Sequence, residues 1–153
     1  MKRSVLLLLA VTVALLLASG VAIARTINCD GGLCRGTDSS DTMYGSGGRD
    51  NIYSRGGADL VRGKGGSDSV NGDGGRDRLS GGRRNDEVNG GDADDVVAGN
   101  SGFDAMNGGN GDDRMEAVDG MEDQISCGNG SHDIAVFDAG IDHLSECEDR
   151  RPR

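Results

Sequence analysis

Residues 63–80 read GKGGSDSVNGDGGRDRLS, which is one nine-residue unit passed through twice. Each pass has glycine first (Gly63, Gly72), glycine fourth (Gly66, Gly75), aspartate sixth (Asp68, Asp77) and an aliphatic residue eighth (Val70, Leu79). Outward from this stretch the unit runs from Gly36 to Glu116. Its aspartates are Asp41, Asp50, Asp59, Asp68, Asp77, Asp86, Asp95, Asp104 and Asp113. Two residues after each stands an apolar side chain: Met43, Ile52, Val61, Val70, Leu79, Val88, Val97, Met106 and Met115. A fixed short period marks a solenoid, in which each repeat is covered only by its neighbours.

Side chains alternate faces along a strand. In triplets such as Leu60-Val61-Arg62 and Arg78-Leu79-Ser80 the apolar centre therefore points inward and the flanks point outward. The glycines that follow permit tight turns. Two units make one coil with a strand on each side. The expected fold is all-β: a parallel β-roll solenoid of nine-residue repeats, with two short-stranded parallel sheets facing each other over a thin core.

Composition bounds what such a chain can do. It has 153 residues, 28 of them glycine, no tryptophan and 3% aromatics, which cannot build a conventional core. Disorder is the competing reading of such a composition. The fixed phase of the apolar residue argues against it. The net charge is −10, and Lys2 and Arg3 lie in the leader. An acidic chain repels nucleic acid and anionic membranes, and its natural partners are cations.

Met1–Ala24 reads as a signal peptide: Lys2 and Arg3, then the apolar run Val5–Ala18, then Ala22-Ile23-Ala24 as the cleavage site. The mature protein is expected outside the cell, with no membrane segment after cleavage. Residues 25–35 form an N-terminal cap and 36–117 the repeats. Residues 118–153 form irregular terminal repeats and a C-terminal cap. A secreted chain with four cysteines is expected to oxidise them. A solenoid holds the two pairs at opposite ends, so the expected bonds are Cys29–Cys34 and Cys127–Cys147. After Met115 the period stretches, and Asp123 with Ile125, then Asp133 with Ala135, each arrive ten residues on. Val136, Phe137, Ile141 and Leu144 are expected to cover the last coil, and Glu146–Arg153 to fray.

Stacking sets the chemistry. Aspartates two units apart fall on one edge, giving Asp41, Asp59, Asp77, Asp95 and Asp113 on one side. Asp50, Asp68, Asp86 and Asp104 fall on the other. Neighbouring coils lie about 5 Å apart, where two carboxylates repel by about 1 kcal/mol even in water. A divalent cation between loops reverses the sign of that term. Calcium (Ca2+) fits best, because the ligands on offer are carboxylates and carbonyls in flexible loops. The array has no histidine or thiolate to select zinc or copper. All nine repeat aspartates are candidate ligands. Arg84, Ala93 and Ser39 replace the fourth-position glycine in their loops. The Arg84 guanidinium is within reach of Asp68 or Asp86.

Nothing in the repeats reads as catalysis. Paired acids such as Asp94-Asp95 recur with the period, whereas an enzyme needs one site. His132 and His143 read as surface residues of the cap. The expected class is a calcium-binding structural protein, with an extracellular adhesion or surface-binding scaffold as the alternative. A polymer-binding face predicts an aromatic or threonine ladder on the residues following the aspartates. Thr42, Asn51, Leu60, Ser69, Arg78, Glu87, Val96, Ala105 and Arg114 form none.

Across Gly36–Glu116, and loosely to Val136, the chain resembles the RTX, or hemolysin-type calcium-binding, repeat proteins, whose unit is G-G-x-G-x-D-x-U-x. The resemblance implies a right-handed parallel β-roll with calcium between successive loops of one edge. It also implies ligation by the repeat aspartates and by loop carbonyls. The second repeat position is glycine only at Gly82, Gly91 and Gly109.

Overall fold

Val61 between Leu60 and Arg62, and Val70 between Ser69 and Asn71, each begin a strand with the valine inside. The computed structural model describes residues 24–153, so the expected leader lies outside them except for Ala24. Fifteen strands alternate between two sheets, and no helix occurs among the described residues. The first sheet stacks β1 (Thr26–Asn28), β3 (Thr42–Tyr44), β5 (Leu60–Gly65), β7 (Arg78–Arg83), β9 (Val96–Ser101), β11 (Arg114–Ala117), β13 (Ile134–Phe137) and β15 (Asp149–Pro152). The second stacks β2 (Gly32–Arg35), β4 (Asp50–Tyr53), β6 (Ser69–Gly74), β8 (Glu87–Asp92), β10 (Ala105–Asn110), β12 (Gln124–Asn129) and β14 (His143–Ser145).

All pairings are parallel, and the register follows the period: Val61↔Leu79 in one sheet, Val70↔Val88 in the other. The inserted residues after Met115 lengthen the coil, giving Met106↔Ile125 and Met115↔Ala135. This is the parallel β-roll expected from the repeat. The central strands are six residues long rather than three, because pairing continues past the apolar residue, as at Lys64↔Gly82 and Gly65↔Arg83.

The interior holds one aliphatic stack per sheet. All nine apolar repeat residues are buried, and Cys29, Cys34, Ala117, Ile125, Cys127, Ala135 and Cys147 extend the core to both ends. The aspartates lie inside as well, from Asp41 to Asp133. Room for them comes from the first glycine of each unit. A side chain on Gly72 would collide with the Gly90 carbonyl and stand 2.5 Å from Asp77 Oδ2. Farther along, Ala117, Cys127 and Phe137 fill the same column.

Both ends are fastened as expected, by Cys29–Cys34 and Cys127–Cys147. Val136 is buried, and Phe137 and Leu144 pack partly against the core. Two expectations fail. Ile141 is exposed, because it sits in the loop after β13 and not on a strand. The terminal segment does not fray, since Asp149–Pro152 pairs with Ile134–Phe137. A polar ladder crosses the outer face of the second sheet. The Asn89 amide donates to Asn71 Oδ1 and the Asn107 amide to Asn89 Oδ1, each at 3.1 Å. It lies three residues after the aspartates, outside the column searched in the sequence.

Candidate metal centre

Each aspartate closes a loop between strands, and its backbone N–H reaches the aspartate one coil on. The amides of Asp41, Asp59, Asp77, Asp95 and Asp113 donate to Oδ1 of Asp59, Asp77, Asp95, Asp113 and Asp133 at 2.7–2.8 Å. On the other edge Asp50, Asp68, Asp86 and Asp104 donate to Asp68, Asp86, Asp104 and Asp123 at 2.7–2.8 Å. Sequence reasoning assigned the partners correctly up to Asp113. It did not carry the ladder to Asp123 and Asp133, whose lengthened spacing still keeps an apolar residue two positions later.

The second carboxylate oxygen divides the aspartates into two groups. In Asp41 it accepts from the Thr37 amide at 2.6 Å and the Thr37 hydroxyl at 2.9 Å. Ser46 does the same for Asp50, at 2.6 and 3.0 Å. From Asp59 through Asp133, Oδ2 is buried and has no hydrogen-bond partner in the protein. An orphaned buried anionic oxygen is costly, and nine of them in register call for a cation.

The surrounding donors are oxygens too. A Cβ at Gly63, Gly72 or Gly90 would come within 2.6 Å of Oδ2 of Asp68, Asp77 or Asp95 and of the carbonyl of Gly81, Gly90 or Gly108, so these carbonyls stand beside the orphaned oxygens. Among the described residues no three His, Cys, Asp or Glu side chains gather as one metal cluster. A cation here would take carboxylate oxygens from neighbouring coils and complete its shell with carbonyls. That donor set is hard and flexible, the kind calcium uses.

Left-handed backbone recurs at two positions of the loop. Arg55, Lys64, Asp73 and Asn100 adopt it at the second repeat position, and Arg84 (φ 75°) and Ala93 (φ 79°) at the fourth. Ser39 does not, because its loop is the one closed by Thr37. The expected pairing of Arg84 with Asp68 or Asp86 is absent, and Arg84 joins no ion pair among the described residues.

Electrostatics reflects the burial. It pushes Asp77, Asp86, Asp95 and Asp123 up to about 7, and Asp113 to about 6. The N–H from the preceding coil offsets this only in part, and carboxylates on adjacent coils add to the rise.

His132 meets Ser131 Oγ at 2.8 Å and Asp112 Oδ2 at 3.4 Å. Both contacts are to Nδ1, so the ring is not set to relay a proton from the serine to the aspartate. The trio is open to solvent.

The family model of the RTX calcium-binding nonapeptide repeat matches residues 35–70, 71–106 and 90–120. No curated protein and no solved structure matches the chain. Matched repeats span more than half of the sequence, and they carry the buried aspartate ladder described above. The chain belongs to the RTX calcium-binding nonapeptide-repeat family, which binds Ca2+.

Proposed function

We propose that this protein is a secreted calcium-binding β-roll whose buried aspartates require Ca2+ to fold, and that it folds after export. The observation that carries the reading is the column of unpartnered Oδ2 atoms from Asp59 to Asp133. Four gaps on one edge are flanked by two such aspartates: Asp59/Asp77, Asp77/Asp95, Asp95/Asp113 and Asp113/Asp133. Three are so flanked on the other: Asp68/Asp86, Asp86/Asp104 and Asp104/Asp123. Asp41, whose two oxygens accept from Arg25 and Thr37, contributes structure more than metal affinity. The two disulfides fit an oxidising compartment. The role is structural or binding, with no residue assigned to catalysis.

Calcium stoichiometry tests the assignment. Asp77→Asn should lower the number of ions bound and weaken calcium-induced folding, because it touches two gaps. Asp41→Asn should leave stoichiometry unchanged. Equal losses in calorimetric titrations of both variants would overturn the division.

Acid should act in a set direction. Each raised carboxyl holds its proton more tightly in the folded chain than in the unfolded one. Its contribution to the metal-free fold is complete below the unfolded value of about 4 and is lost as pH rises through about 7. In chelator the protein should therefore show more β-structure at about pH 5 than at about pH 8. Calcium needs the deprotonated form, so binding near pH 6 should release protons. Calorimetry in two buffers of different ionisation enthalpy reads that release directly. Identical apparent enthalpies in the two buffers would count against it.

A further inference from the structure

Charge along the chain is segregated. Residues 25–84 hold ten basic and eight acidic residues, whereas 85–149 hold eighteen acidic residues and Arg114 alone as a cation. The segregation is sharpest on the edge formed by the loops that run from the first sheet to the second. The first of these loops carries Asp30, and the following turns present Arg49, then Lys64 at the end of β5, then Arg83 and Arg84 at the end of β7, all exposed. The next loop is uncharged on its surface and presents Phe103. The last two carry Asp119 and Glu122, then Asp138 and Asp142; the three aspartates are half-buried and accept backbone N–H groups, and the exposed Glu122 meets His143 Nε2 at 3.0 Å.

Two further observations mark this edge. Of the five large hydrophobic residues exposed among the described residues, four lie here: Phe103, Val118, Met121 and Ile141. The four cations make no ion pair among the described residues, although the chain is acidic overall. Exposed apolar side chains beside complementary charge mark a protein contact.

Beyond the Asp30 loop, the order of charges, positive through neutral to negative, is complementary to itself when reversed. We propose that a second copy of this chain docks antiparallel along this edge, related by a two-fold axis near Arg84 and Phe103. Loops stack about 5 Å apart, so equal spacing brings Lys64 of one copy opposite the Asp119–Glu122 loop of its mate. Arg49 then meets the Asp138–Asp142 loop. Met121, Val118 and Ile141 lose exposure beside the charges. The same patch serves both copies, as a closed two-fold interface requires. The opposite edge offers no such pattern, since its loops mix Arg55 and Arg76 with Asp73, Asp92 and Asp94, and Arg76 already pairs with Asp94.

Sedimentation of the calcium-loaded, oxidised protein tests this beyond the calcium reading. Calcium-induced circular dichroism on every sample separates failure to fold from failure to associate. At about 0.01 M ionic strength, where charges act over about 30 Å, the wild type should show a monomer–dimer equilibrium. At about 1 M it should be monomeric. Lys64→Glu and Glu122→Lys should each weaken the dimer about tenfold or more, while an equimolar mixture of the two variants should dimerise again. Met121→Gln should weaken it without changing its salt dependence. Arg55→Glu, on the other edge, should have no effect. A folded wild type that stays monomeric at low salt overturns the proposal. So does a dimer indifferent to both charge reversals, or a mixture that fails to re-form it. Tight retention of the wild type on immobilised heparin without dimerisation also overturns it, assigning the basic loops to a polyanion.

Discussion

In chelator the oxidised protein should give the circular dichroism of a largely unstructured chain, and millimolar calcium should convert it to β-structure. The expectation rests on what the interior contains. Each central coil buries two aliphatic side chains beside two aspartates, and each of those aspartates keeps one oxygen without a partner. At neutral pH the metal-free fold must either protonate these groups or hold like charges one coil apart. Extracellular calcium modules bind at about 10⁻⁴–10⁻³ M. With calcium at about 10–100 times the dissociation constant, each site stabilises the fold by about 1.4–2.7 kcal/mol. Several sites together match the whole stability of an ordinary domain, about 5–15 kcal/mol. Magnesium should not substitute, because it keeps its waters and demands tighter geometry. A strong β spectrum in chelator, unchanged on adding calcium, would sink the calcium-dependent fold.

Gly72→Ala should be among the most damaging single-methyl changes in the array, and Gly65→Ala among the mildest. The added Cβ at Gly72 would strike the Gly90 carbonyl and crowd Asp77 Oδ2 at 2.5 Å. The carbonyl belongs to a paired strand and the carboxylate to the ladder, so neither can withdraw without opening a coil. Overpacking of this kind costs about 1–3 kcal/mol, and loss of the adjoining calcium gaps adds to it. Gly65 has open space at the same distance and no left-handed backbone. Alanine there should be neutral or stabilise by up to about 1 kcal/mol through the unfolded chain. Thermal melts in saturating calcium, with stoichiometry by calorimetry, compare the two. Equal melting temperatures would show that the glycine column is not the space reserved for the carboxylates.

The period made most of the architecture legible. A solenoid is nearly one-dimensional, so an apolar residue in fixed phase specifies strand, sheet and stacking at once. Val61, Val70 and Leu79 could be read this way before any coordinates. The interior position of the aspartates was harder, because a carboxylate ordinarily marks a surface. Nor does sequence distinguish a glycine needed for left-handed backbone, such as Gly75, from one needed for space, such as Gly72. Thr37 and Ser46 look like ordinary loop residues. Only their hydrogen bonds show that they occupy Oδ2 of Asp41 and Asp50. Asp123 and Asp133 kept their role while their spacing changed, since each extra residue is absorbed in a loop and the strands stay in register. The asparagine ladder escaped because it occupies a different column from the residues just after the aspartates.

A stack of parallel strands ends in a row of unpaired backbone groups, and such a row can template another chain. In this protein β15 closes the larger sheet with Asp149-Arg150-Arg151-Pro152, all four residues exposed. Pro152 offers no N–H to an incoming strand. Asp149 and Arg151, paired at 2.6 Å, and Arg150 line the rest of that edge with charge. At this edge the proline and the charged side chains oppose the addition of a further strand.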